Sequence, residues 1–484
     1  MFKIRHFVLA LAFFSVSSSL FAQDITFPAS PFSYEEEIAA EKPKKHWLTA
    51  LSVPILFNLG LSTYNRLVIG SAWSKVGKEE ITEFYKRKMK WDRDWYWTNF
   101  VLHPYQGNMY YSGARASNLN KFEAFLITLG GSAMWEWFCE TNAPSTNDMV
   151  YTSVGSFAVG EMLYRLSLEA DTVSPVLGYF VAPVRTYTEF VNGEKSLGSR
   201  GNVQEFSLRF VMGTSRYYAS AKGYSSTEVF PVFGAAEFYV LYNDPYVHDS
   251  NDPYSQFELS MRGGLGVGSG KGSEKWEEKV LYDVRINSSG MLFARTVGHS
   301  EQVETSLGIV FDYDFMWHTL IQLSSLSPGL AVNQRIRGRH SAFEWRLHLD
   351  GILLGTTDSY YLRRAGVMFD ELPTYVFSDY SYGVGAQTVL YGRWISEMGH
   401  FVEADVHAYA LYDLDSQKQD GISDTGWEFY GMGKLNFELA VSPKINLGLG
   451  NELYMKKTAF DEFPNIFQIG YAGTIYARWK LFSR

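Results

Sequence analysis

The sequence predicts an all-β transmembrane barrel preceded by a small α-helical domain. From about Val203 to the C-terminus, segments of about ten residues alternate apolar and polar side chains, and turn residues separate them. An N-terminal export signal precedes this region, and aromatic residues make up 17% of the chain. Alternation places one face of each strand against an apolar medium and the other against water. Behind an export signal, that medium is predicted to be lipid, and barrels place Tyr, Trp and Phe at both membrane interfaces.

The segment 402–412 shows the alternation clearly. Its polar set is Glu403, Asp405, His407 and Tyr409, and its apolar set is Val402, Ala404, Val406, Ala408 and Ala410. Single-chain bacterial barrels have even strand numbers, so we predict about 12 antiparallel strands, with 14 as the alternative. The last predicted strand ends at Phe482, although Ser483 and Arg484 follow this terminal aromatic residue. A soluble β-sandwich or a large lipocalin-like barrel is less favoured, because strands in those folds are typically shorter.

Four regions divide the chain. Residues 1–22 are typical of a signal peptide, with a basic start, an apolar run and a predicted cleavage after Ala22. Residues 23–45 form a polar leader, residues 46–200 a helical domain with its connector, and residues 201–484 the barrel. The single cysteine, Cys139, excludes an internal disulfide framework. The formal net charge of -9 disfavours nucleic acid as a partner.

Helical spacing predicts helices near 47–69, 99–118, 120–141 and 146–168. The first of these comes nearest to an apolar membrane span, but Pro54, Asn58 and Arg66 interrupt it. An inner-membrane helix is therefore the less favoured interpretation of this segment. We expect the helical domain to lie in the periplasm, either capping the barrel mouth or plugging its lumen. The cap is favoured because its aromatic side chains need an apolar surface.

Polar side chains recur at steps of four along these helices, which places them on shared helix faces. They are His103, Tyr111 and Arg115 on one helix, whose face Gly107 shares, and Ser132, Glu136 and Glu140 on the next. The sequence Pro144-Ser145-x-x-Asp148 then opens a third helix, and Glu161 follows in an apolar context. An isolated buried charge costs on the order of several kcal/mol, so these groups must be paired or hydrated.

The order N-x3-HP-x2-G-x2-YY-x2-AR, then WE, PS-x2-D and GE, resembles an uncharacterised bacterial family, domain of unknown function 3943. The matching residues are Asn99, His103, Pro104, Gly107, Tyr110, Tyr111, Ala114, Arg115, Trp135, Glu136, Pro144, Ser145, Asp148, Gly160 and Glu161. The resemblance implies an exported envelope protein with a helical segment ahead of a β-rich tail. It brings no established activity, so no catalytic role is carried over.

Three hypotheses compete for these residues. A hydrolase would use Ser145 as nucleophile, His103 as base and Asp148 or a glutamate as orienting acid. Ser145, however, lacks the glycines of a nucleophile elbow. Ser145 is better explained as the N-cap of a helix, with Asp148 near the positive end of its dipole. No catalytic residue is therefore assigned.

A metal site would gather His103, Glu136, Glu140 and Glu161, but one histidine is few for zinc or iron. The favoured hypothesis is a structural or binding network. In it, Arg115 pairs with Glu136 or Glu140, and His103 bonds to a tyrosine or to Glu161. The predicted network residues are Asn99, His103, Tyr111, Arg115, Glu136, Glu140, Asp148 and Glu161.

On the strands, His348 and His407 fall on the polar face, where a histidine is more often a hydrated lumen residue than a ligand. We predict no cofactor and assign no metal ligands. The expected partners are outer-membrane lipids, the barrel assembly machinery and a lipid or small solute. The predicted function is envelope maintenance or passage of such a cargo, in the outer membrane of a Gram-negative bacterium. The alternative is a membrane-embedded hydrolase of phospholipid or lipopolysaccharide acyl esters.

Overall fold

Twelve antiparallel strands form a closed barrel in the computed structural model, which describes residues 43–92, 94–221, 223–268, 280–358, 380–414 and 424–483. Consecutive strands pair with each other, and β1 closes the barrel by pairing with β12. The predicted closed barrel and its strand number are confirmed. The strands are β1 Val203–Ala221, β2 Tyr224–Tyr242, β3 Phe257–Val267, β4 Val280–His299, β5 Val303–His318, β6 Ile321–Arg337, β7 Ser341–Asp358, β8 Tyr380–Ser396, β9 Phe401–Leu414, β10 Thr425–Ala440, β11 Ile445–Phe460 and β12 Ile466–Ser483.

A helical region precedes the barrel. Its α-helices are α1 Trp47–Tyr64, α2 Lys78–Thr82, α3 His103–Ala116, α4 Lys121–Phe138, α5 Thr146–Val150, α6 Ser156–Asp171, α7 Pro175–Val181 and α8 Val184–Asn192. Wider π-helical turns at Asn65–Ile69, Thr98–Leu102 and Tyr151–Gly155 continue α1, lead into α3 and join α5 to α6. The four helices expected from the spacing are present, and the connector contains α7 and α8.

Two motif glycines explain how tightly the helices pack. A β-carbon at Gly107 of α3 would lie 2.0 Å from the carbonyl oxygen of Thr152, and one at Gly160 of α6 would lie 2.9 Å from the Tyr111 ring. Only glycine allows this approach of backbone to backbone and of backbone to ring. The helix α3 therefore lies directly against α6 and the turn that precedes it.

The polar face of the strands lines the lumen. Asp314 on β5 accepts hydrogen bonds from Gln387 on β8 at 2.7 Å and from Tyr409 on β9 at 2.8 Å. These strands are not neighbours, so the bonds cross the interior of the barrel. Because successive side chains point to opposite faces, the neighbours of Asp314, Tyr313 and Phe315, point outward.

The helical region lies against this outer wall. Tyr313 donates a hydrogen bond to the carbonyl oxygen of Phe100, and the Phe315 ring stacks on Tyr96 with 5.3 Å between centroids. Both β5 side chains are only 1% exposed. Helical aromatic side chains thus cover outward-facing aromatic side chains of the strand.

A second contact repeats the arrangement on β8. Thr357 on β7 bonds to Glu428 on β10 across the lumen, so the adjacent Thr356, paired with Tyr382, faces outward. The Asn99 amide donates to the hydroxyl of Tyr380 at 2.8 Å and to that of Tyr382 at 3.1 Å. All three side chains are fully buried.

The covered wall is a band that crosses several strands. Its outward-facing buried members include Val240, Tyr242, Phe257, Leu259, Phe311, Tyr313, Phe315, Leu326, Leu354, Tyr380 and Tyr382. It runs from the end of β2 to the start of β8, which lie at opposite ends of the barrel. Strands tilt relative to the axis of a closed barrel. A band that crosses them at right angles therefore runs from one end of the barrel towards the other.

The placement of the helices differs from the expected cap or plug. Among the described residues, the barrel's own polar side chains fill the lumen, and the helical contacts are with the outer wall. The physical reason lies in the aromatic side chains of the helical region, such as Tyr96, Trp97 and Phe100. They find apolar partners on the wall that the polar lumen does not offer.

Replacing Tyr380 and Tyr382 together by Phe tests this docking. The buried Asn99 amide would lose both acceptors, which costs about 1–3 kcal/mol. We expect faster proteolysis of the helical region while the barrel keeps its heat-modifiable gel migration. Tyr412→Phe, on the outer face of β9 and 37% exposed, is the matched control. Equal proteolysis rates in the double variant and the control would contradict the docking.

Candidate functional site

His103 and Asp148 form one corner of a buried polar group. The ring atom Nε2 of His103 lies 3.5 Å from Oδ2 of Asp148, and Nδ1 lies 3.2 Å from the Thr152 hydroxyl. His103 begins α3, Asp148 lies on α5, and Thr152 lies in the π-helical turn that follows. Burial lowers the pKa of His103 to about 4, so its ring is neutral at pH 7.

Ser145 is the N-cap of α5, as its pattern predicts. Its hydroxyl accepts from the backbone N–H of Asp148 at 3.1 Å, and its own N–H donates to Oε2 of Glu136 at 2.7 Å. Within the part of the chain that the structure describes, no hydrogen bond joins Ser145 to His103. The hydrolase arrangement needs that bond, because the histidine would have to accept the serine proton.

Carboxylates dominate the group around this corner. The carboxyls of Glu136, Glu140 and Asp148 all have raised pKa values, chiefly because burial penalises the charged form and then because like charges repel. For Glu136 the pKa is about 8. None of these groups lies on a membrane-spanning strand. At pH 7 the group therefore retains protons that exposed carboxyls would release.

Two further aspartates join the group through a loop that the sequence analysis did not single out. The backbone N–H of Asp92 donates to Oδ1 of Asn147 at 2.7 Å, and Asn147 donates to Asp148 at 2.7 Å. Burial and the charge of Asp92 raise the pKa of Asp94 to about 7. Aspartates flanked by tryptophans, in Trp91-Asp92 and Asp94-Trp95, were the available signal.

The loop is held in place by backbone pairing. Lys90 donates to the carbonyl of Pro144 at 2.9 Å, and Thr146 donates to the carbonyl of Lys90 at 2.8 Å. The Trp91 ring stacks on Tyr382 of the barrel wall with 4.8 Å between centroids. The carboxylate group therefore lies between the helices and the wall, close to the start of β8.

Glu161 belongs to a different group. It is fully buried, and its carboxylate lies 2.8 Å from Nε of Arg115, 3.0 Å from Nε of Arg165 and 3.7 Å from Nζ of Lys121. Burial raises the pKa of Glu161, but these three cations outweigh that effect and lower it. Tyr111 also donates to the carboxylate at 3.1 Å. This charge is paired as the network hypothesis requires.

The partners within that network differ from those expected. Arg115 pairs with Glu161 and not with Glu136 or Glu140. His103 contacts Asp148 and Thr152 and neither a tyrosine nor Glu161. The four residues of the metal hypothesis are not gathered either, because Glu161 faces three cations in its own group. Asn99 lies apart from both groups and binds the wall.

The Glu161 group also ties the helices to the barrel. Asp252, in the connection between β2 and β3, accepts from Arg165 at 2.5 Å and also pairs with Lys121. The helical region is thus attached near the end of β2 by charge and near the start of β8 by aromatic packing.

One family model matches part of the helical region. Residues 88–181 match the family model described as Domain of unknown function (DUF3943), which confirms the resemblance. No curated protein matches the chain.

Solved structures similar to the chain include an outer membrane channel from Pseudomonas putida F1, with 11% identity, a TM-score of 0.28 and coverage of 57% of this chain and 95% of that one. The transport unit of the autotransporter AIDA-I from Escherichia coli has 9% identity and a TM-score of 0.24, covering 57% and 90%. The outer membrane protease OmpT from Escherichia coli has 8% identity and a TM-score of 0.23, covering 57% and 96%. The fold assignment rests on the strand pairing itself.

Glu136→Gln tests the protonation of the carboxylate group. A carboxyl whose pKa is about 8 when folded and near 4.5 when unfolded contributes stability below pH 4.5 that is lost as the pH rises through 8. Glutamine keeps an acceptor for the Ser145 N–H but cannot ionise. We expect the variant to gain at least about 1 kcal/mol over the wild type between pH 5 and pH 8.

Hydrogen exchange of α4 measures this local stability. Glu79→Gln, at an exposed position on α2, is the control for the loss of a glutamate outside the carboxylate group. A Glu136→Gln variant that shows no pH-dependent gain over the wild type would contradict the protonated state.

Proposed function

We propose that this protein resides in the outer membrane of a Gram-negative bacterium and binds lipid through its wall-attached helical region, in the service of envelope maintenance. The observation that carries the proposal is the packing of the helices on the outward face of the barrel. That face is the one a membrane barrel presents to lipid.

The exposed surface of the helices supports a lipid environment. Apolar side chains on α1 that point away from the protein include Leu48, Leu51, Ile55, Leu56 and Leu59, and Leu48 is 86% exposed. The segment Trp47–Ile69 is long and apolar enough to cross a membrane by length and composition. On the uncovered wall, Leu390, Leu449 and Ile475 are likewise exposed. A continuous apolar exterior of this kind is stable against acyl chains and costly in water.

The ion pairs in the lumen favour a structural role for the barrel over a role as a pore. Arg262 on β3 pairs with Glu452 on β11 at 2.5 Å, and Arg346 on β7 pairs with Glu258 on β3. Both ion pairs cross the interior, and a cavity of about 150 Å³ lies beside the pair of Arg346 and Glu258. Passage of a solute through the lumen would require breaking several buried ion pairs. Each broken pair would leave an uncompensated buried charge, which is strongly destabilising.

The strand connections suggest an orientation. At one end the connections between β4 and β5, β6 and β7, β8 and β9, and β10 and β11 are short. The connection between β2 and β3 is the one long connection at this end. At the other end, longer segments join β3 to β4, β7 to β8 and β9 to β10, while two residues join β1 to β2 and β5 to β6. In outer-membrane barrels short turns face the periplasm. The carboxylate group, beside the start of β8, would then lie at the outer leaflet, in place of the expected periplasmic position of the helical region.

Lipid binding is tested by purification in polymer discs, exchange into detergent and mass spectrometry. We expect a retained phospholipid or lipopolysaccharide, together with photocrosslinking to lipid from a probe at Leu59 but not from one at Tyr391 in the lumen. The same preparation should leave liposomes impermeable to small sugars. Sugar-permeable liposomes and a lipid-free protein would instead support solute passage through the lumen.

Ser145→Ala and His103→Ala separate lipid binding from hydrolysis. A cap that loses its side chain costs about 1 kcal/mol, so Ser145→Ala should bind lipid as the wild type does and unfold slightly more easily. Thr146→Ala, one residue further along α5, is the control. Loss of acyl-ester turnover in folded Ser145→Ala and His103→Ala proteins would establish the hydrolase and overturn the binding role.

A further inference from the structure

From a cluster in the barrel lumen, we infer that the protein holds a divalent transition-metal ion between Asp312 on β5 and His348 and Asp350 on β7. One ligand atom from each residue lies within 4.8 Å of the other two. The three side chains are 3%, 7% and 5% exposed. This inference is independent of the lipid-binding proposal, which concerns the outer wall.

The backbone makes room for the cluster on the strand between. The register of β6 shifts between Leu326 and Gly329, and Gly329 pairs with Asp350. A β-carbon at Gly329 would lie 1.9 Å from Oδ1 of Asp350. The glycine therefore lets the Asp350 carboxylate lie over β6, in the direction of Asp312 on the far side.

Unsatisfied oxygens distinguish the cluster from an ordinary ion pair. The Nδ1 atom of His348 lies 2.9 Å from Oδ2 of Asp312, which gives that one oxygen a partner. Both oxygens of Asp350 and Oδ1 of Asp312 are buried and accept no hydrogen bond from any described residue. Buried carboxylate oxygens are almost always paired or bound to metal, because their desolvation is otherwise uncompensated. A cation between the two aspartates would satisfy all of these atoms.

Two basic side chains that line the same cavity as Asp312 and His348 have other partners. Arg346 pairs with Glu258, and His407 pairs with Asp405 at 3.1 Å. The neighbouring Asp314 is itself satisfied by Gln387 and Tyr409. The two carboxylates of the cluster thus face each other, and among the described residues His348 is the basic group that contacts them.

The ligand set indicates the class of metal. One imidazole nitrogen with two carboxylates suits Zn²⁺, Mn²⁺, Fe²⁺ or Co²⁺ better than Ca²⁺ or Mg²⁺, which prefer oxygen ligands alone. The cavity of about 150 Å³ is lined in part by Asp312 and His348, so water can complete the coordination. Such an ion would tie β5 to β7 and stabilise the closed lumen.

Metal content of the full-length protein tests the site. After removal of metal with EDTA, we expect Zn²⁺, and likewise Mn²⁺, to bind at about one ion per chain by mass spectrometry of the metal. Asp350→Asn and His348→Gln, which preserve side-chain size, should weaken binding about ten-fold or more. Asp405→Asn, which removes the carboxylate of the other lumen Asp–His pair, should bind as the wild type does.

Two further measurements keep the outcome decisive. Heat-modifiable migration shows whether each variant is folded, and Co²⁺ absorption shows whether His348 coordinates the metal, since only His348→Gln should remove the nitrogen ligand. Any of three results would overturn the site. The folded wild type could bind neither ion, Asp350→Asn could bind metal as well as the wild type does, or Asp405→Asn could lose as much binding as Asp350→Asn. The first result would leave Asp312 and Asp350 sharing a proton.

Discussion

Closure of the hydrogen-bonded ladder is the constraint on which the rest of this structure depends. A backbone N–H or C=O that is shielded from water and left unpaired costs on the order of several kcal/mol, and here the strands pair all the way round, so that β1 meets β12. Closure then sends successive side chains alternately into the lumen and onto the wall. Polar groups must satisfy one another across the lumen. Apolar groups on the wall either pack against the helices or stay exposed on the face that we propose lies in lipid.

The helical region carries two groups of buried charges that differ in the balance between cations and carboxylates. Glu161 lies among three cations, and through Asp252 the same group is tied to the barrel. The group that contains Glu136 and Asp148 has carboxyls that burial and mutual repulsion keep protonated. The first is explained as a structural lock. The second is the chemically distinctive part of the helices, and it lies beside the wall.

The local pattern of residues was sufficient to predict much of this architecture. Alternation predicted the barrel and the inward position of Asp405 and His407, because a strand's two faces follow from its residue order alone. The cap at Ser145 was equally predictable, since it involves atoms three residues apart. The partner of Arg115 was not, because Glu136 and Glu161 both lie on neighbouring helices and only the packing of α3 on α6 at Gly160 decides between them.

Residue order alone was enough to predict the strands, the four long helices and their faces, and the resemblance of the helical segment to a known family. The tertiary structure alone decided where the helices lie, and it placed them on the wall and not in or beneath the lumen. It also gathered Asp92 and Asp94 into the carboxylate group, and it opposed Asp312 to Asp350 across β6. The physical reason is the same in each case. Contacts between residues far apart in the chain decide which surfaces and charges meet. The periodicity of the sequence reports local structure and does not predict those contacts.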